Sequence, residues 1–178
     1  DSLAPQVDAI FENFATLNGG VLLLGLIYFS FQIYCDFSGY SDIAIGTAKL
    51  FGFELRSNFK FPYFSRDIGE FWRRWHISLS TWFRDYLYIP LGGSKGGKWL
   101  SIRNIFIIFI VSGFWHGANW TFIVWGLVHA ILYIPLFLSG RNRIHTTTVV
   151  AENKWFPSIN ELFQMLQTFF FTMIAWVF

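Results

Sequence analysis

Charge is what this sequence lacks most. Only 13% of its residues are Asp, Glu, Lys or Arg, against about 25% in ordinary soluble domains. With 54% hydrophobic and 22% aromatic residues, it has too little polar surface to stay dispersed in water. That excludes a soluble globular class and indicates an integral membrane protein, in which Phe and Trp suit lipid-facing helices and interfacial belts. Cysteine is nearly absent as well. The single Cys35 excludes an intrachain disulfide framework and a zinc site of several thiolates. Internal repeats and low-complexity tracts are missing. No initiator Met opens the sequence, and it stops inside an apolar segment at Trp176-Val-Phe178. The expectation is an internal fragment of a longer multi-pass protein, a single domain over residues 1–178 that is incomplete at both ends. The first apolar run has no basic leader and no small-residue cleavage site, so it does not read as a signal peptide.

What is present is a set of long uncharged runs. Residues 13–35 give 23 uncharged positions, enough to cross a bilayer with modest tilt. The helix is expected to continue over about 13–51, bent near Ser38-Gly39, with Gly39 and Gly46 allowing close helix packing. A second run, from Ile105 to Leu138, is 34 residues long without one charged side chain. As one helix it would reach about 50 Å, against a hydrocarbon core of about 30 Å. Over 104–138 it is therefore one kinked span or two shorter pieces. Gly113, Gly117 and Asn119 sit where a break is expected. Between them lies His116, and an ionisable side chain at membrane depth is by default a functional-site hypothesis. The plain alternative is a histidine satisfied by a neighbouring helix carbonyl.

Residues 54–103 hold nine of the thirteen basic residues against four acidic ones, a net of +5. By the positive-inside rule this connection faces the cytoplasm. Asp67 and Glu70 have the spacing of a capping box, and Ile68, Phe71, Trp72, Trp75, Leu79, Trp82 and Phe83 recur at helical spacing. The pattern predicts a basic, Trp-rich amphipathic helix at the interface or dipping into the membrane. On that continuous helix His76 falls within about 80° of Arg73, Ser80 and Arg84.

Pro90 to Lys98 is a glycine-rich turn. Gly92 to Lys98 imitates a phosphate-binding loop, but Trp99 stands where Ser or Thr must bind magnesium and no strand precedes it, so nucleotide hydrolysis is rejected. Arg141 to Asn153 reads as a plain extramembrane loop with His145 exposed and idle. Pro157, Ser158 and Glu161 mark a helix start, and 161–178 reads as the beginning of a further span.

His76 and His116 stand among motif-like residues and have two readings. If they line one cavity they suit acyl transfer, a neutral imidazole taking a hydroxyl proton while a second polar group polarises the acyl carbonyl. Otherwise they are two unrelated packed histidines. His129 follows Trp125 at helical spacing and is given a structural role. Asp36 with Asp42 makes a weak metal signal, and no metal site is expected. Cys35 beside Asp36 is a poor nucleophile, because its thiolate is disfavoured there.

Six blocks follow one another in order: Tyr34 to Gly46, Asn58 to Tyr63, Glu70 to Leu79, Trp82 to Tyr86, Tyr88 to Gly93, and Ser112 to Gly117. Together they resemble the membrane-bound O-acyltransferase family, in its bacterial alginate O-acetyltransferase-like branch, over residues 28 to 138. The resemblance implies an all-α polytopic membrane fold enclosing a tunnel, in the bacterial inner membrane. It implies transfer of an acetyl group from a cytoplasmic donor, acetyl-CoA, towards a cell-surface polysaccharide such as alginate. No bound cofactor is implied. The implied partners are membrane lipid, the acyl donor, and the polysaccharide or a secreted acetyltransferase; nucleic acid is not among them. It places His116 as the general base or the residue that orients the acceptor hydroxyl, and His76 as the second catalytic group near the donor. Arg73, Arg74 and Trp75 are expected to shape the donor entrance, with Trp115 and Asn119 as further substrate-binding candidates. The alternatives are D-alanyl transfer to teichoic acid from a carrier protein, and a proton-coupled transporter, which would carry inverted repeats and broken helices.

Overall fold

A computed structural model describes residues 2–177, and among these the ordered elements are all helical. The chain divides into two compact units, residues 1–57 and residues 58–176.

The first unit is a short helix packed on a long one. α1 (Ala4–Glu12) ends where Asn13 turns its amide back onto the Ala9 carbonyl at 2.8 Å. The expected start of the membrane helix at residue 13 is therefore corrected. Asn13 to Leu17 form the turn after α1, and Asn18 caps α2 (Gly19–Leu50) by accepting from the Val21 N–H at 3.0 Å. Polar side chains bond locally to the backbone here and compete with the helix. Gly25 lets Ile10 approach α2, and Phe11 meets Phe29 edge-on at 5.9 Å. α2 is a single helix of 32 residues that passes unbroken through Ser38-Gly39. Gly39 and Gly46, expected to admit another helix, have nothing within 4 Å of an added Cβ.

The second unit is built on a hairpin. The 104–138 run resolves into two helices, α5 (Lys98–His116) and α6 (Trp120–Leu138), of 19 residues each. Each is about 28 Å long, close to the thickness of a bilayer core. The break falls at Gly117 to Asn119, with extended backbone at Gly117 (φ 171°) and Asn119 capping α6 through the Thr121 N–H at 3.2 Å. Gly113 is not part of the break. A Cβ there would collide with the Phe122 carbonyl oxygen, and one at Gly126 with the Phe109 carbonyl oxygen. The pairings 113 with 122 and 109 with 126 define an antiparallel hairpin whose backbones touch, the use of small residues expected between membrane helices. α2, α5 and α6 are long and apolar enough to cross a membrane.

The predicted single helix over 68–83 is two helices, α3 (Ile68–Arg74) and α4 (Ile77–Phe83), the latter followed by a π-helical turn at Arg84–Tyr88. α3 lies against the middle of the hairpin. Trp72 meets Phe109 of α5 at 5.4 Å, and Trp125 and His129 of α6 at 5.9 and 4.9 Å. α7 (Ile159–Ala175) opens with the full capping box predicted from Ser158 and Glu161. Just beyond its end, Trp176 joins Phe71, Trp75 and Tyr63 in an aromatic core.

Because the hairpin closes through backbone contact, Gly113→Ala and Gly126→Ala are each expected to cost about 1–3 kcal/mol, as overpacking does. Melting of the detergent-solubilised full-length protein measures it; an unchanged midpoint would mean the helices are not packed this closely.

Candidate active site

α3 is placed by charge. Asp67 caps it, its Oδ1 accepting from the Glu70 N–H at 2.6 Å. Glu70 does not complete the predicted capping box. Its carboxylate turns instead to Arg66, accepting from the Arg66 backbone N–H at 2.7 Å and from the guanidinium at 3.0 and 3.1 Å, and from Arg74 at 2.6 Å. Glu70 is 1% exposed and Arg66 7%, and a buried charge persists only when paired and hydrogen-bonded. Burial alone would raise the Glu70 pKa, but the Arg66 hydrogen bonds and the Arg66 and Arg74 charges outweigh it and hold the carboxyl below its ordinary value. Arg66 also reaches the Thr148 carbonyl at 2.9 Å and Glu161 of α7 at 3.3 Å. One charge network thus joins α3, the 141–150 loop and α7.

α3 ends at a break, and His76 sits in it. Its backbone is left-handed (φ 43°, ψ 55°), a conformation that costs a non-glycine residue about 1–3 kcal/mol and clusters at functional sites. The break carries the His76 ring into a cavity of about 400 Å³ that His116 also lines. Arg73, Trp75, Ser80 and Arg84 contribute to the same wall. Burial, and secondarily the nearby His116, push the His76 pKa down to about 4, so its imidazole is neutral at pH 7.

The remaining predicted residues separate into groups. The Trp115 ring lies 6.2 Å from His76 and 5.1 Å from His116, in contact with both imidazoles. Arg73 lines the cavity while donating to the Asn142 and His145 carbonyls at 2.9 and 3.4 Å, so it also fastens the loop after α6. Trp75 is 7% exposed and stacks on Phe71 at 5.5 Å, its ring mostly committed to the core. Arg74 is engaged by Glu70 and borders a neighbouring cavity, on the other side of Arg73 and Arg84, instead of the one His76 and His116 line. Asn119 acts as the α6 cap.

Three features of the site are absent from the sequence reading. The 141–150 loop is not plain: Asn142, Arg143 and Thr146 line the cavity. His145 is not idle, with its Nδ1 3.3 Å from Thr148 Oγ1 and its Nε2 4.0 Å from Asp67. Tyr88 and Ser94, hydrogen-bonded to each other at 2.9 Å, reach the cavity from the glycine-rich turn. Only the last was signalled, by the Tyr88 to Gly93 block. His129 is fully buried beside Trp72 and Trp125, with no hydrogen-bond partner at either ring nitrogen, consistent with a packed role. Among the described residues no three His, Cys, Asp or Glu side chains gather as a metal-ligand set.

Two imidazoles lining one cavity, with an aromatic ring beside both and arginines on the wall, suit proton transfer to and from a bound hydroxyl. The pattern of the MBOAT, membrane-bound O-acyltransferase, family matches residues 20–150. The chain belongs to this family. Among its curated relatives, the protein named "Probable alginate O-acetylase AlgI" of Azotobacter vinelandii is 53% identical over 129 residues, 72% of this chain and 26% of that protein. The "Peptidoglycan O-acetyltransferase" of Helicobacter pylori is 40% identical over 178 residues, 100% of this chain and 32% of that protein. The "Teichoic acid D-alanyltransferase" of Streptococcus thermophilus is 38% identical over 160 residues, 79% of this chain and 39% of that protein. The chain thus spans between about a quarter and two-fifths of the length of these O-acyltransferase relatives.

Removing one partner of a buried ion pair strands the others, typically at about 3–5 kcal/mol. Glu70→Ala is therefore expected to abolish accumulation of folded protein, and Glu70→Gln to leave a reduced amount, read as protease-resistant protein in membranes. The pH dependence has a fixed sign. With the folded pKa below the ordinary 4.5, the network's contribution is complete above that value and is lost as pH falls through the lower folded one. Wild-type levels of the Glu70→Ala variant would contradict this placement.

Proposed function

We propose that the full protein is a multi-pass O-acyltransferase of the bacterial inner membrane. It moves an acetyl group from a cytoplasmic donor, acetyl-CoA, for O-acetylation of a cell-envelope polysaccharide such as alginate. The observation that carries this reading is the shared cavity of His76 and His116. Family membership favours acyl transfer over proton-coupled transport. The acetyl group is favoured over D-alanine by identities of 53% and 40% to the O-acetyl-transferring relatives, against 38% to the D-alanyl one. The donor side is assigned from the basic 54–103 segment, which supplies Arg73 and Arg84 to the cavity. Residues 1–178 are read as one incomplete domain of that larger protein.

In this mechanism a ring nitrogen of His116 takes the acceptor hydroxyl proton as the oxygen attacks the thioester carbonyl carbon. The carbon–sulfur bond then breaks, and the proton returns to the departing thiolate. His76, neutral at working pH, hydrogen-bonds the donor end and orients the acyl group. Trp115 packs beside both rings. Arg73 and Arg84 attract the anionic part of the donor, while the apolar wall of Ile105, Ile108 and Phe109 limits access of water to the reacting carbonyl. A secreted acetyltransferase that receives the acetyl group would extend the same reaction to the outer face.

General acid–base groups contribute about 10²- to 10⁴-fold in rate. Full-length His116→Ala is therefore expected to remove at least about 99% of acetate esters from the polysaccharide at matched membrane levels, with His76→Ala severely reduced. Normal acetylation in the His116 variant would sink the mechanism. Ester-linked D-alanine in place of acetate would transfer the reading to teichoic acid.

A further inference from the structure

The left-handed turn that presents His76 is held from outside its own helix. Asn58 and Lys60 run alongside the α3–α4 break and bond to both of its flanks. The Lys60 N–H donates to the Arg74 carbonyl at 3.0 Å, before the break, and the Ile77 N–H donates to the Asn58 carbonyl at 3.0 Å, after it. The Asn58 side chain adds a second grip. Its Oδ1 accepts from the Ser78 N–H at 3.2 Å and from the Ser78 hydroxyl at 2.6 Å. Between these residues Phe59 packs edge-on against Trp75 at 5.0 Å. A strained backbone persists only where its surroundings over-determine it, and here four hydrogen bonds fix residues 74, 77 and 78 around residue 76.

We propose that Asn58 is a positioning residue for acyl transfer: its side-chain oxygen locks the first turn of α4 and so aims the His76 imidazole into the cavity shared with His116. The inference rests on the acyltransferase reading and adds a residue to it. Asn58 does not line that cavity, so its role is exercised through the placement of His76. Backbone bonds alone would leave α4 free to pivot on the Ile77–Asn58 contact. The carboxamide oxygen removes that freedom by holding the next residue twice.

The test uses full-length protein in membrane vesicles, with acetyl-CoA as the donor probe and initial acetyl transfer as the readout. Asn58→Leu keeps the branched outline of the side chain and loses the acceptor; Asn58→Asp keeps the acceptor. Expected for Asn58→Leu is a kcat lower by about 10- to 100-fold, the penalty of a misplaced catalytic group, at unchanged protein level and with little change in the KM for acetyl-CoA. Asn58→Asp should restore most of the rate. In the His76→Ala background Asn58→Leu should cause no further loss, because its only route to the chemistry is gone. Wild-type kcat in Asn58→Leu, a full additional loss in the double variant, or failure of Asn58→Asp to rescue would each overturn the proposal. If the leucine variant does not accumulate, the comparison of Asn58→Asp with Ser78→Ala decides. An active aspartate variant with a slowed Ser78→Ala supports the lock, and equal wild-type rates refute it. A wild-type protein that transfers no acetyl group, or a fully active His76→Ala variant, would bring down the underlying reading, and the positioning role with it. Wild-type activity with an indifferent Asn58 overturns the positioning role alone.

Discussion

The Glu70 carboxylate is the point on which the second unit depends. It is almost fully enclosed and faces Arg66 and Arg74, so its charge has no route to water. That condition dictates the path of the surrounding chain. Arg66 must lie beside it, and because Arg66 also bonds Thr148 and Glu161, the loop after α6 and the start of α7 are drawn to the same place. A buried ion pair is weak evidence for net stability, since apolar residues of similar volume can do as well. Its effect here is specificity: few arrangements satisfy two arginines and two carboxylates at once. α3 is thereby fixed against the middle of the α5–α6 hairpin, where Trp72 packs on Phe109, Trp125 and His129.

From that fixed helix the site follows by short steps. α3 stops at Trp75, whose ring enters the aromatic core with Phe71 and Trp176. The next residue reverses the backbone and faces the cavity. The hairpin delivers His116 to the same cavity from the last residue of α5. Neither histidine needs a long flexible loop, because both are placed by helix ends. Arg73 joins the two halves by holding the 141–150 loop over the same space.

Much of this was legible in the sequence where the cause is local. Ser158 and Glu161 announce the start of α7 because a capping box is closed within four residues. The uncharged run predicted a kink or a break near His116, because length and glycine content decide that. The ordered motifs brought His76 and His116 together before any geometry was known. What was not legible has distant causes. The apolar spacing of residues 68–83 fits one helix, and the break at His76 comes from hydrogen bonds to Asn58 and Lys60, which no periodicity records. Gly113 was read as part of a kink, yet its reason is the Phe122 carbonyl across the hairpin. The role of the 141–150 loop depends on Arg66 and Arg73, about seventy to eighty residues earlier in the chain. Glu70 looked like half of a capping box because spacing cannot reveal that a buried arginine competes for the same carboxylate.

The end of α5 has an electrical side. Its last carbonyls have no partner further along the helix, and a helix carries roughly half a negative charge at that terminus. His116 is the residue at that terminus. A side chain at that terminus lies beside the open carbonyls of the last turn, which a residue in the middle of the helix does not. The three-residue break therefore sets more than the position of the ring: ending the helix at His116 leaves open backbone acceptors beside it, which a continuous helix would have closed.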